Sequence, residues 1–161
     1  MIVVADTSVI LNLCCVQHEH LLQGLFKRVL IPTQVADEFG RLTKIQKRFS
    51  GLILPGWMEV LTAPSSFPAE VIHAQLDIGE SAAIALCLNQ KADALLIDEL
   101  SGRKVAAKLG VRTVGIAGIL VDARSEKLIS SAKVLLDRLE SEANFWISSD
   151  LRRQVLRLAG E

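Results

Sequence analysis

Two short apolar runs in this chain each lead into an aspartate: Ile2-Val3-Val4-Ala5 into Asp6, and Ala94-Leu95-Leu96-Ile97 into Asp98. Runs this short and this apolar read as buried strands, so each aspartate caps the carboxyl end of a strand. Further strand-like runs stand at Val29–Ile31, Met58–Leu61 and Arg112–Val114. Helical patterns separate most of them. Strands that alternate with helices imply an α/β fold, with a mainly parallel sheet flanked by helices on both faces.

The helices carry their own punctuation. Ser8–Cys15 opens behind Thr7 or Ser8 as N-cap, with Val9, Ile10 and Leu13 on one apolar face. Pro32 suits the first turn of the next helix, which turns Val35, Ala36 and Phe39 inward. Glu80–Asn89 is almost wholly apolar and reads as a buried helix, whereas Ser101–Leu109 is amphipathic and stops at Gly110. Two more helices are expected in the tail, at Ser131–Glu142 and Ser149–Leu158. Residues 51–68, with three prolines and two serines, read as a loop-rich excursion within one domain.

At 161 residues the chain fits a single domain with a substantial core. No apolar run approaches the ~20 residues of a membrane-spanning helix, and no basic stretch precedes the first strand as in a signal peptide. Three cysteines, Cys14, Cys15 and Cys87, without zinc-site spacing, suit a reduced cytoplasmic protein. Eighteen basic residues balance eighteen acidic ones, which argues against a protein that binds chiefly through phosphate contacts. It does not argue against an enzyme whose metal ion carries part of the positive charge. Half of the residues are hydrophobic and mean hydropathy is +0.37, an apolar surplus that suits a homodimer or a covered partner surface.

Four acids are placed where such a fold can gather them: Asp6, Glu38, Glu80 and Asp98. Open α/β sheets bind ligands outside the carboxyl ends of their strands. Carboxylates crowded there repel one another unless a cation is present, so the set points to a hard divalent metal, Mg²⁺ or Mn²⁺. Such an ion needs only two or three direct carboxylates; Asp6 and Asp98 rank first, Glu80 next, and Glu38 acts through water. Asp77 reads as a capping residue for the helix that carries Glu80, while Glu99 is a ligand, an outer group or a surface acid. Thr7 and Ser8 offer hydroxyls beside Asp6, either as helix caps or for a water or phosphate oxygen. Arg103, five residues after Asp98, can bind a phosphate or orient a carboxylate. Asp122 suits a solvated helix face.

Other chemistries find little support. Cys14-Cys15-Val16-Gln17-His18-Glu19-His20 lacks a second ligand cluster at zinc-site spacing. His73 is isolated, with no nucleophile–base arrangement around it. The basic groups Arg41-Lys44-Lys47-Arg48, Arg103-Lys104-Lys108 and Arg152-Arg153-Arg157 read as solvated helix faces.

Four segments together resemble the PIN (PilT N-terminal) domain: Val3-Val4-Ala5-Asp6-Thr7-Ser8, Val35-Ala36-Asp37-Glu38, Asp77-Ile78-Gly79-Glu80-Ser81, and Leu95-Leu96-Ile97-Asp98-Glu99. Gly102-Arg103 and Gly118-Ile119-Leu120 extend the likeness toward the small prokaryotic branch, over nearly the whole chain as one PIN-like domain, residues 1–161, with a helical C-terminal tail. The resemblance implies a Rossmann-like three-layer fold and a Mg²⁺- or Mn²⁺-dependent ribonuclease. It further implies the toxin of a type II toxin–antitoxin pair, with RNA as substrate and a small antitoxin protein as partner. By position it makes Asp6, Glu38, Glu80 and Asp98 the acidic quartet. Glu80 departs from the aspartate of many relatives outside this branch, and the helical tail departs from the most compact toxins.

A haloacid-dehalogenase-type phosphotransferase would need an acid two residues after Asp6, where Ser8 stands. A receiver domain would need an acidic pair after the first strand. The serious alternative is a catalytically degenerate PIN module that binds RNA or protein without cutting, which neutral net charge favours and the intact quartet opposes.

Overall fold

A computed structural model describes residues Met1–Glu161. Five strands form one sheet, β1 (Ile2–Ala5), β2 (Arg28–Pro32), β3 (Glu59–Leu61), β4 (Ala94–Leu96) and β5 (Thr113–Val114), in the order β3-β2-β1-β4-β5. Every pairing is parallel. The chain first builds outward from β1 to β3, then returns to the far side of β1 to add β4 and β5. The switch in winding therefore falls between β1 and β4, paired through Val3–Ala94, Val4–Leu95 and Ala5–Leu96. A crevice opens at such a point because the loops leaving the two strands diverge to opposite faces.

Nine helices connect and cover the strands: α1 (Thr7–Cys15), α2 (His20–Leu25), α3 (Thr33–Ile45), α4 (Ala69–His73), α5 (Ile78–Asn89), α6 (Leu100–Lys108), α7 (Ile116–Ser125), α8 (Ala132–Ala143) and α9 (Ser149–Leu158). The two-residue alternation of the strands splits the core into two layers. Val3, Ala5, Val29, Ile31 and Leu96 face one side, against α1, α2, α3 and α7–α9. Val4, Leu30, Leu95 and Ile97 face the other, against α5 and α6. The result is a three-layer α/β/α arrangement.

α5 lies against the middle of the sheet, with Gly79 to Cys87 all buried, as its unbroken apolar sequence anticipates. The tail helices complete the larger core layer: Leu135, Leu136 and Leu139 of α8 and Val155 of α9 are buried in it. Arg152 of α9 also bridges Asp137 and Glu140 of α8. α6 ends where expected, with Gly110 in the left-handed region at φ +74° just past its last turn.

Several boundaries differ from the expectation. Asp6, not Thr7 or Ser8, is the N-cap of α1, and Pro32 ends β2 and caps α3 instead of lying in its first turn. Two helices were not anticipated, and a third, α7, was implied only by the placing of Asp122 on a helix face. α2 and α4 span only six and five residues, too short for periodicity to stand out. α7 carries Gly118 and the β-branched Ile116, Ile119 and Val121, which weaken its helical signal, and the buried side chains of Ile116, Ile119 and Leu120 hold it in place. No helix is long and apolar enough to cross a membrane.

Candidate functional site

The backbone N–H of Asp6 donates to the Leu96 carbonyl at 2.9 Å, so Asp6 leaves the sheet beside β4, at the switch point. It takes extended dihedrals (φ −84°, ψ 160°) as N-cap of α1, yet its carboxyl accepts no capping hydrogen bond from that helix. The side chain is thereby free for other work. Glu38 projects from the second turn of α3 and Glu80 from the first turn of α5. Asp77 caps α5, its Oδ1 accepting the Glu80 N–H at 2.8 Å. Glu38 comes close because residue 79 is glycine: a Cβ there would stand 2.8 Å from Glu38 Oε2.

Asp6, Glu38 and Glu80 share a pocket of about 280 Å³ with Asp77, Glu99, Ser8 and Ser101, and no hydrophobic residue lines it. Five carboxyl groups with no basic residue among the lining side chains make this a strongly electronegative concavity. Asp6 and Glu80 are each only 5% exposed. Burial, followed by the carboxylates of Glu80, Asp77 and Glu38, pushes Asp6 from 3.8 up to about 7, against the pull of the nearby Thr7 N–H. Burial and the neighbouring Asp77 push Glu80 up to about 7 as well. Glu38 is raised by burial and by Asp77, with Arg41 opposing. The shared cause is negative charge confined where water screens it poorly.

The donor set fits a hard cation. No three of these side chains converge into a preformed metal cage. Mg²⁺ does not require one, because it keeps several waters and binds through one or two carboxylates. A loose, wet, all-oxygen pocket of aspartate, glutamate and serine meets that demand and excludes soft-metal chemistry.

Not every expected residue joins this pocket. Thr7 is buried beneath it, 1% exposed. Its hydroxyl is turned toward Glu38, near enough to temper that carboxyl but outside hydrogen-bond geometry, and is left without a partner. Ser8 is the hydroxyl that reaches the opening. Asp98, ranked beside Asp6 from the sequence, turns the other way. Its Oδ1 accepts the Ile116 N–H at the start of α7 at 3.0 Å, while Oδ2 is buried and unpartnered. Burial raises the Asp98 pKa, and the Ile116 N–H and Arg103 pull it back. Arg103 donates to the Ile97 carbonyl at 3.0 Å. A Cβ at residue 115 would lie 2.6 Å from Asp98 Oδ1 and 2.9 Å from Arg103 Nη1, so Gly115 is what admits this pair.

Glu99 supplies the carboxyl that lines the pocket from the β4 side. Sequence reasoning treated Glu99 as optional, Asp77 as a cap alone, and Ser101 only as a helix start. Asp77 performs both tasks, and Ser101 could have been found from its place two residues beyond Glu99 at the mouth of α6.

Beyond Asp98 lies a larger cleft of about 600 Å³ between β5, α6, α7 and α9, floored by Val114, Ala117 and Val121 with Arg103 and Arg112 on its walls. Leu100, Leu151 and Leu158 project into it well exposed. Asp122 is solvent-exposed on its rim, as a surface helix face predicts.

A protein-family model described as a PIN domain matches residues 2–161. No curated protein matches the chain.

Proposed function

The chain belongs to the PIN-domain family, a nuclease-type fold, and from that premise we propose that it is a Mg²⁺- or Mn²⁺-dependent ribonuclease that hydrolyses RNA phosphodiesters in the pocket around Asp6. The observation that carries this reading is the gathering of Asp6, Glu38, Asp77, Glu80 and Glu99 at the switch point, with Asp6 and Glu80 both pushed up to about 7.

Asp6 and Glu80, the most buried of the set, would hold the ion directly, with Glu99 completing the far side. Glu38 and Asp77 would hold its waters. A bound divalent ion supplies a more acidic water and neutralises charge on the attacked phosphate. The protein's own part is positional. Ser8 and Ser101 offer hydroxyls at the mouth for a phosphate oxygen. Arg103 holds the Ile97 carbonyl and faces Asp98, which keeps the end of β4 and the Glu99 turn in place.

Cleavage of structured RNAs in Mg²⁺ or Mn²⁺, compared with an Asp6→Ala control, tests this directly. The variant should lose all metal-dependent cleavage while its circular dichroism is unchanged. Equal cleavage by wild type and variant would overturn the proposal.

The cleft beside Asp98, with Leu100, Leu151 and Leu158 exposed, supports a protein partner and hence the toxin role of a toxin–antitoxin pair. Induced expression in the host should arrest growth for the wild type and not for Asp6→Ala. A homodimer is the second use that surface supports, read from mass by light scattering.

A further inference from the structure

One of the chain's two tryptophans, Trp146, is 82% exposed, the most exposed aromatic of the molecule. An indole left open to this degree contributes almost nothing to the fold. It sits just past α8, whose C-cap Asn144 adopts the left-handed conformation, and between Phe145 and Ile147, which pack against the core and leave the indole facing out. On one side Asn144 and Trp146 line a concavity of about 410 Å³. On the other, Asn144 lines one of about 670 Å³ with Gln46, Lys47 and Arg48. Indole and basic pair thus flank a single shared residue.

The basic residues lead back to the acidic pocket. Arg41 lies one turn beyond Glu38 on α3, close enough for its charge to act on that carboxyl. Lys44 follows one turn later, and Lys47 and Arg48 continue past the end of the helix. All four are exposed, and none takes part in a salt bridge, whereas Arg138 and Arg152 nearby are matched to acids. Unmatched cations along α3 and the turn that follows it, beside an open indole, combine the two elements of a single-strand binding surface: charges that follow a phosphate backbone and an aromatic face on which a base stacks.

We propose that this track is a binding site for single-stranded RNA, with Trp146 stacking a base and Arg41, Lys44, Lys47 and Arg48 following the phosphates away from the acidic pocket. The inference rests on the ribonuclease reading for its substrate class and adds the path the strand takes. From Glu38 to Lys44, within α3, the helical rise of about 1.5 Å per residue gives about 9 Å, a span of roughly two to three stacked nucleotides before Lys47, Arg48 and the indole are reached. Only RNA long enough to cross it can use the indole. The path also reconciles RNA recognition with a chain of zero net charge, because local concentration of unmatched cations replaces an overall excess.

The test measures binding in EDTA, where cleavage is silent, by fluorescence anisotropy of single-stranded RNAs of about three and about twelve nucleotides. Trp146→Ala should weaken binding of the longer RNA roughly five- to a hundred-fold and leave the shorter one unchanged, with Trp146→Phe restoring most of the loss. Lys47→Ala with Arg48→Ala should flatten the log–log salt dependence by about 0.7 per charge removed. Undiminished affinity of both variants for the longer RNA overturns the proposal. So does a loss of self-association or partner binding with RNA affinity intact, which would make this a protein-docking face. Because the binding arm needs no turnover, it succeeds or fails separately from the Asp6→Ala cleavage assay.

Discussion

Replacing Asp6 by asparagine should make the metal-free protein harder to unfold above neutral pH. Asp6 is 5% exposed, and burial together with the Glu80, Asp77 and Glu38 carboxylates raises it from 3.8 to about 7. Between those values the folded chain keeps a proton that the unfolded chain has released, so stability falls as pH rises through the window and levels off above it. A displacement of about three units corresponds to about 4 kcal/mol at 1.36 kcal/mol per unit. Most of that penalty is burial of the charge, and the rest is repulsion shared with Glu80, itself pushed up to about 7, so the portion that Asp6→Asn relieves is nearer 2–3 kcal/mol. For a domain of this size that is a rise in Tm of about 5–10 °C. Urea or thermal unfolding in EDTA at about pH 5 and pH 8 reads it out: a smaller gain at the lower pH, where only the unfolded carboxyl has ionised, and the full gain at the higher one. Mg²⁺ should close that gap, stabilising the wild type by about 2.7 kcal/mol at a hundredfold excess over Kd and leaving the variant unmoved. A variant less stable than wild type at pH 8, or a gain equal at both pH values, would refute an electrostatic origin.

Gly79→Ala would place a methyl 2.8 Å from Glu38 Oε2; it should cut kcat about tenfold or more while thermal stability barely moves. Gly115→Ala would press on Asp98 Oδ1 and Arg103 Nη1 at 2.6 and 2.9 Å, destabilising the fold by about 1–3 kcal/mol in urea titration. Ile84→Ala, at a fully buried position of α5, should lose about 2–5 kcal/mol by the same measurement. Glu161 accepts the Ser131 hydroxyl and the Ala132 N–H, both at 2.6 Å, at the start of α8. Glu161→Ala should therefore lose about 0.5–2 kcal/mol at neutral pH. Those bonds hold the Glu161 carboxyl below its ordinary 4.5, so this contribution fades as pH falls, opposite in sign to Asp6.

The frame of the molecule was legible because burial in a parallel sheet leaves a blunt mark: Val3-Val4-Ala5 and Ala94-Leu95-Leu96 have no polar residue to offer. Asp6 could be placed at a strand end from that alone, and Glu80 from the apolar run that follows it. What could not be read was set by packing across the chain. Thr7 and Ser8 are equivalent as letters; the sheet beneath them buries one hydroxyl and opens the other. Trp146 carries no sequence signal, because nothing local says that Phe145 and Ile147 take the inward positions and leave the indole outside.

The position of Asp98 was a different case, since the rule that decides it was available. Ala5 pairs with Leu96, which sets Asp6 level with Ile97. Successive side chains alternate between faces, so the acid one step past Ile97 cannot share the face of Asp6. Ile97 packs toward α5, where Glu80 is carried, and Asp98 turns instead toward α7 and the Ile116 N–H. Glu99 remains extended, at φ −59° and ψ 124°, and returns to the α5 side. The same alternation that divides the core into two layers thus divides the acid pair, one member for the pocket and one for the start of α7. Asp98→Asn retains an oxygen for the Ile116 N–H and removes only charge, whereas Glu99→Gln removes charge from the pocket itself. If the alternation governs the site, Glu99→Gln should weaken Mn²⁺ binding in calorimetry far more than Asp98→Asn. The opposite order would mean that Asp98 swings round to the ion and that the face rule yields to the metal.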